Sequence, residues 1–306
     1  MARRSRTVLF TLIGPPLCGV LLGCLVIAAW MATGLPTPAK GETWFTLLKV
    51  PPTGQASFTS GQPDQVQFFL VVGNDSRDPN GVGLGDAIHV IGVNPQAHAA
   101  SMIGIPRDTS IGGGGKVNSI LATQGLSAFT GTISNFVGVP IKFSITTNFD
   151  GFASMVDEVG GLDVNIQEPM HDPLAATDFD PGPLHLNGPG ALAFSRDRHS
   201  FSAGDIKRSE NQGYLIISAL QNFQQRNTGA SGVVNMLGIL GRHVQMENAS
   251  YTDLYRLGRL VLTINPANIR NVVIPTGGGA GTNLSPGPGI DELFADFRDD
   301  GILQSH

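Results

Sequence analysis

Val66-Gln67-Phe68-Phe69-Leu70-Val71-Val72-Gly73-Asn74-Asp75-Ser76-Arg77 sets the fold class of this 306-residue chain. Six of its first seven side chains are apolar, with no polar residue at every second place. A strand with one wet face would alternate. A run without alternation predicts a strand buried on both faces, as interior strands of layered α/β folds are. The run stops at Gly73-Asn74, which leaves Asp75 at the strand's C-terminal end, where such sheets place ligand sites.

Working outward, residues 88–93 and 99–105 are two further strands, joined by Asn94-Pro95-Gln96 as a hairpin. Residues 117–136 carry helical spacing, and 143–147 return to strand character. A short helix over 151–159 turns at Gly160-Gly161 into a strand over 162–166. Residues 168–188 read as a long loop with many prolines. Helices are expected over 190–194, 209–225, 233–242, 251–263 and 290–297, with a strand over 269–274 between the last two. There is no internal repeat. Strands interleaved with helices predict an α/β fold, a layered α-β-α sandwich around a mixed central sheet over residues 65–300.

The first 64 residues read differently. A basic tail over 1–7, with Arg3, Arg4 and Arg6, precedes an uncharged apolar run over 8–33. That run is long enough to cross a bilayer core of roughly 30 Å as a helix. Arginines before it orient the N-terminus inside, so a single-pass cell-membrane protein with an extracytoplasmic C-terminal domain is expected. A cleaved signal peptide would have a shorter apolar region. Leu21-Leu22-Gly23-Cys24 resembles a lipobox, but the apolar run continues past it. Residues 34–64, rich in Pro, Gly, Thr and Ser, read as a linker. Both cysteines, Cys18 and Cys24, fall in the expected anchor, which excludes disulfide or thiol chemistry in the domain.

Net charge is −5, so nucleic acid is not an expected partner, and no aromatic residues interleave the basic ones. The cations matter by position. Ser195-Arg196-Asp197-Arg198-His199 is followed by Gly204-Asp205-Ile206-Lys207-Arg208 and Gln212. Guanidinium forks suit phosphate oxygens, because they present paired donors and keep their charge. Arg196 and Arg198 share parity if that segment is extended, and Arg208 and Gln212 share a face on a helix. A solvated charged face is the competing reading. Arg107, in Ile105-Pro106-Arg107-Asp108, follows a strand and a proline. A simple ion pair with Asp108 is its alternative. Asp75 and Asp86 fit a hard divalent ion that also takes phosphate oxygens, and equally fit a turn cap and a strand cap. His171, His185 and His199 lack zinc spacing and read as loop or surface residues.

The ordered series resembles the LytR–CpsA–Psr family of cell-envelope glycopolymer transferases. The matching strings are Gly73-Asn74-Asp75-Ser76-Arg77, Asp86, Ile105-Pro106-Arg107-Asp108, Lys116-Val117-Asn118, Asn148-Phe149-Asp150-Gly151-Phe152 and Val159-Gly160-Gly161-Leu162-Asp163-Val164. Leu186-Asn187-Gly188, the run from Ala191 through His199, Asp205, Arg208 and Gln212 complete it.

The resemblance implies a magnesium-dependent phosphotransferase, with manganese as an alternative ion. It would move a glycopolymer from a polyprenyl-pyrophosphate carrier to peptidoglycan in the bacterial envelope. By that likeness Asp75 and Asp86 hold the metal, and Arg107, Arg196 and Arg198 act on the pyrophosphate, with Asp75 or Asp108 as base. Arg77, Lys116, Arg208 and Gln212 would grip the same group, and the prenyl tail would lie in an apolar cleft. Two departures stand out: Leu84-Gly85-Asp86 where the family has Arg-Ser-Asp, and Asn211-Gln212-Gly213 where it has Arg-Gln-Gln. Each absent arginine removes a charge-assisted contact worth roughly 1.5–3 kcal/mol, which fits a slower enzyme, a different glycopolymer or lipid binding without transfer. A lipid pyrophosphatase and a non-catalytic polyprenyl-lipid-binding protein are the alternatives.

Overall fold

The strand opening the domain, β1 (Gln67–Asn74), lies inside a six-stranded sheet, with paired strands on both edges. It pairs antiparallel with β2 (Gly85–Asn94) and parallel with β4 (Ile141–Asn148). β3 (Ala99–Gly104) runs antiparallel to β2, and β8 (Ile269–Val273) adds parallel to β3. β7 (Gln245–Glu247) closes the other edge, giving the order β7-β4-β1-β2-β3-β8. The sheet is mixed, as the sequence predicts. The computed structural model describes residues 65–77, 81–111, 115–226, 230–278 and 283–304. The basic tail, anchor and linker expected over 1–64, with both cysteines, lie outside them. Among the described residues no helix is long and apolar enough to cross a membrane.

Alternation along β1 serves two cores. Phe68, Leu70 and Val72 face α1 (Asn118–Val137) and α7 (Ile290–Asp300), where Phe129, Ile133 and Phe297 are fully buried. Phe69 turns the other way and stacks on Phe143 at 5.1 Å. That second face is covered by α4 (Asp205–Arg226) and α6 (Tyr251–Val261), which explains why β1 has no polar period. A third apolar cluster joins α2 (Phe149–Glu158), α3 (Gly188–Arg196) and α4 to a small hairpin, β5 (Leu162–Ile166) with β6 (Gly182–Leu186).

Several expectations are corrected. Residues 168–188 are not one loop: they contain β6. Its proline, Pro183, and its exposed alternate residues weaken the strand signal. His185 therefore sits on a strand, paired with Asp163 at 2.6 Å. The helix over 117–136 is broken at Gly125, whose φ of 80° departs from helical backbone. Arg196 and Arg198 are not on an extended segment, because Arg196 closes α3 and Asp197 is its C-cap. α4 starts at Asp205 instead of 209, which brings Arg208 inside the helix. Further along, α5 (Ala230–His243) packs on α2 and α6. β7, β9 (Thr276–Gly278) and β10 (Leu284–Pro286) are three residues each, too short for a periodic signal.

Candidate active site

Strand direction decides where the chemistry lies. β1, β3 and β4 run parallel to one another, and β2 runs against them. The ends of β1, β3 and β4 and the start of β2 therefore share one edge of the sheet. Asp75, Asp86, Arg107 and Phe149 all follow from that edge. Asn148, the last residue of β4, caps α2 by accepting from Gly151 N–H, so this strand turns into its helix without a spacer.

Asp75 is held by its own loop. Leu84 N–H donates to Asp75 Oδ1 at 2.7 Å, and Asp75 N–H donates to Leu84 O at 3.1 Å. Gly83 makes the closure possible, since a Cβ there would lie 2.3 Å from Asp75 Oδ1. Leu84 joins this loop through its backbone, and its side chain is exposed.

Arg107 Nη1 donates to Asp86 Oδ2 at 2.9 Å, and its Nε lies 3.8 Å from Asp205 Oδ1. Arg208 Nη2 lies 2.8 Å from the same Asp205 oxygen and donates to Asp86 O at 3.3 Å. Burial pulls the Arg107 pKa down, but Asp86 first and then Asp205 and Asp108 outweigh it, so the guanidinium is held above its usual value. Burial pushes the Asp205 carboxyl up, against the pull of Arg208 and Arg107. Buried atoms here retain unused capacity: Asp86 Oδ1, Arg107 Nε, Arg208 Nε and Asp205 Oδ2 have no hydrogen-bond partner, and Asp205 Oδ1 makes only ion-pair contacts with the two arginines. Such atoms suit a ligand bearing both acceptors and a cation.

Gln212, one turn beyond Arg208, donates to Ser195 O at 2.9 Å and ties α4 to α3. Arg196 lies over the Phe149 ring at 5.0 Å. Arg198 follows the α3 cap, its Nε 3.4 Å from His199 Nε2. Beneath them is Asp172, 1% exposed, which the sequence does not single out. Burial raises its pKa, but the His199 ring and the N–H groups of His199, Arg198 and Leu174 hold it well below the ordinary carboxylate range.

These groups open onto one cavity of about 710 Å³. Arg77, Arg107, Arg196, Arg198 and Arg208 line it with Asp75, Asp86, Asp172 and Gln212. At this end, counting Asp205, five arginines meet four carboxylates, a formal +1. The remaining wall is mainly apolar and includes Phe152, Val156, Leu162, Leu215, Phe223 and Leu240. One stripe of α4 spans its length: Arg208, Gln212, Leu215, Ala219, Phe223 and Arg226, at helical spacing. At 1.5 Å per residue, Arg208 and Arg226 are roughly 27 Å apart along the axis. Arg226 closes the far end by donating to Val159 O, Gly160 O and Gly161 O.

Not every expected residue reaches the cavity. Lys116 Nζ pairs with Asp108 Oδ1 at 2.8 Å, and neither side chain is on its wall. They lie behind Arg107, whose carbonyl accepts from Asn118 N–H at 3.3 Å. Among the described residues no three His, Cys, Asp or Glu side chains converge as a metal cage.

The sequence profile of the LytR_cpsA_psr family matches residues 49–285, more than half of the chain. The chain belongs to the LytR–CpsA–Psr family. Curated relatives carry the name polyisoprenyl-teichoic acid–peptidoglycan teichoic acid transferase. TagU of Halalkalibacterium halodurans is 32% identical over 56% of this chain and 58% of its own length. TagU of Bacillus anthracis is 38% identical over 48% and 50%. This LytR–CpsA–Psr chain thus spans about half the length of the curated relatives it matches. Among solved structures, Bacillus subtilis TagV superposes with a TM-score of 0.67 at 22% identity, covering 78% of this chain and 98% of TagV. A structure described as TagT bound to LIIa-WTA gives 0.63 at 19%, covering 79% and 94%. At those identities the likeness is one of fold.

Proposed function

We propose that this chain is a phosphotransferase that moves a glycopolymer from a polyprenyl-pyrophosphate carrier to peptidoglycan, acting as a single-pass cell-membrane protein from the extracytoplasmic side. The observation that carries the reading is one cavity with five arginines gathered at one end and a mainly apolar wall along the rest, with α4 running from one to the other. Few ligands match both halves; a diphosphate with a long hydrocarbon tail does. The relatives' transferase names and TagT's bound LIIa-WTA support the same donor class.

The chemistry asks little covalent work of the protein. An acceptor hydroxyl attacks the phosphorus that carries the glycopolymer, and polyprenyl phosphate leaves. Arg107, Arg198 and Arg208 neutralise charge that grows on the phosphoryl oxygens, in a site already arranged for it. Gln212 positions α3 against α4, and Arg77 and Arg196 stand at the cavity wall. Magnesium (or manganese) fits Asp75 and Asp86: both are hard oxygen donors lining the same cavity, and Asp86 Oδ1 is buried without a partner. Such an ion would supply Lewis-acid charge on phosphate oxygens, which a pair of carboxylates without further protein ligands leaves room to bind.

The test combines purified protein, lipid-linked donor, peptidoglycan and magnesium. Attachment of polymer to peptidoglycan, lost on chelation and restored by magnesium, is the expected result. Phosphate release without an acceptor would replace the transferase by a lipid pyrophosphatase. Donor binding with no turnover would leave a lipid-binding protein.

A further inference from the structure

We propose that His199, oriented by Asp172, is the general base that takes the proton from the acceptor hydroxyl; this rests on the transferase reading above. The carboxylates near the arginines each answer another group, and their unpartnered oxygens are left for a cation. Asp75 is bonded to its own loop, Asp86 to Arg107, and Asp205 lies between Arg107 and Arg208. Asp108 pairs with Lys116 away from the cavity wall. Two histidines line the cavity. His89 is buried, and its Nε2 bonds Ser209 O at 3.1 Å. His199 is different: its side chain is 47% exposed, at the arginine end.

Its ring is built for proton transfer. Nδ1 lies 2.8 Å from Asp172 Oδ2, a carboxylate that also accepts from the main-chain N–H of His199 at 3.1 Å and of Arg198 at 3.3 Å. Asp172 Oδ1 accepts from Leu174 N–H, and Thr177 Oγ1 accepts from Asp172 N–H. A buried, ionised acceptor fixed from several sides puts the ring hydrogen on Nδ1, so the Nε2 lone pair faces the cavity. Arg198 Nε donates to that lone pair at 3.4 Å, a long bond. When Arg198 turns its donors to a phosphate oxygen, Nε2 is released. Substrate binding thus uncovers the base.

The other charged neighbour, Asp197, is buried and accepts from Thr177 Oγ1 and from Ser200, so it does not compete for the ring. The prenyl tail occupies the apolar end, which leaves the acceptor sugar to enter from the mouth. In the step, the hydroxyl oxygen bonds to the phosphorus carrying the glycopolymer while its proton passes to His199 Nε2. The bond from that phosphorus to the bridging oxygen breaks, and its electron pair leaves on polyprenyl phosphate. The imidazolium returns its proton to water or to the released phosphate.

The experiment is a pH–rate profile of transfer for wild type and His199→Gln at saturating donor, with donor-lipid co-purification and thermal melting alongside. The variant is expected to lose roughly 10²–10⁴-fold in rate and the acid limb of the profile, while keeping bound donor and its melting point. Transfer within about threefold of wild type, or a slower variant that keeps the acid limb, overturns the base. Wild-type protein that binds donor and transfers nothing fails the transferase reading itself, and the base falls with it. Wild-type transfer beside an unaffected variant fails the base alone.

Discussion

Arg107 and Arg198 are the same residue type with different duties, and the difference is measurable. The Arg107 guanidinium sits between Asp86 and Asp205, all three mostly buried. Truncation strands the Asp86 carboxylate, while Asp205 keeps Arg208, and the unanswered buried charge costs about 1–3 kcal/mol. Arg107→Ala is therefore expected to unfold at a lower urea concentration as well as to abolish transfer; an unchanged midpoint would mean the ion pair adds nothing to the fold. Sequence spacing alone treats both arginines as phosphate donors whose loss spares folding. For Arg198 the structure leads to the same expectation, because what it gives the fold is a main-chain N–H to Asp172, which alanine retains. Arg198→Ala should stay within about 0.5 kcal/mol of wild type in stability. Its transfer rate should fall roughly 100-fold or more, as when a transition-state donor is removed.

Helix α4 shows how one element serves two surfaces. Arg208, Gln212, Leu215 and Ala219 face the cavity, while Gly213 faces Asn271 of β8 so closely that an added Cβ would lie 2.1 Å from Asn271 Oδ1. Asn271 is held in place by donating to Glu210 O at 2.8 Å. Gly213→Ala is expected to destabilise by about 1–3 kcal/mol through overpacking, less the helix gain of about 1 kcal/mol. Adding Asn271→Ala should recover most of that, a non-additivity read from urea midpoints. A stabilised single variant would show that helix and strand are not in close contact there. Glycine at 213 leaves the room that Asn271 of β8 occupies. Most elements were legible because their apolar periods are long: β1 to β4, α1, α2 and α4 lie close to where the pattern puts them. The hairpin strand β6 was not, since Pro183 masks it, nor were the three-residue strands. At the site, Arg107, Arg208 and Gln212 could be picked out by their local strings. Asp172 could not: its partners are 26 and 27 residues away, and only tertiary packing brings them together. Asp205 was visible at i−3 from Arg208, but its approach to Arg107 was not.

The whole molecule couples this cavity to its own stability. His89 sits on β2, 1% exposed, with Nε2–H donating to Ser209 O, and burial lowers its pKa to about 4. The unfolded chain takes up that proton near 6.5, so between about 6.5 and 4 it binds more protons than the fold does. Stability then falls as pH falls through that window, by about 3 kcal/mol in all, and is level above it. His89→Gln should flatten the slope of urea midpoint against pH there; an equal slope would place the acid sensitivity elsewhere. Asp172, depressed instead, contributes above the ordinary carboxylate pKa and is lost only at more acid pH. The length of the cavity offers the sharpest test of what it holds. Ala219 lies on the α4 stripe between Leu215 and Phe223, roughly 17 Å along the axis from Arg208. Ala219 packs on the third apolar cluster and lines the cavity, so the Ala219→Phe ring extends into that cavity and stability should hold within about 1 kcal/mol. The ring blocks the apolar half and leaves the arginines alone. Full-length donor lipid should then vanish from the purified protein by mass spectrometry, while a donor analogue with a truncated prenyl tail still binds and is still transferred. Wild-type amounts of full-length lipid on this variant would mean that the tail lies outside the cavity, and the arginine end would have to be explained by a headgroup alone.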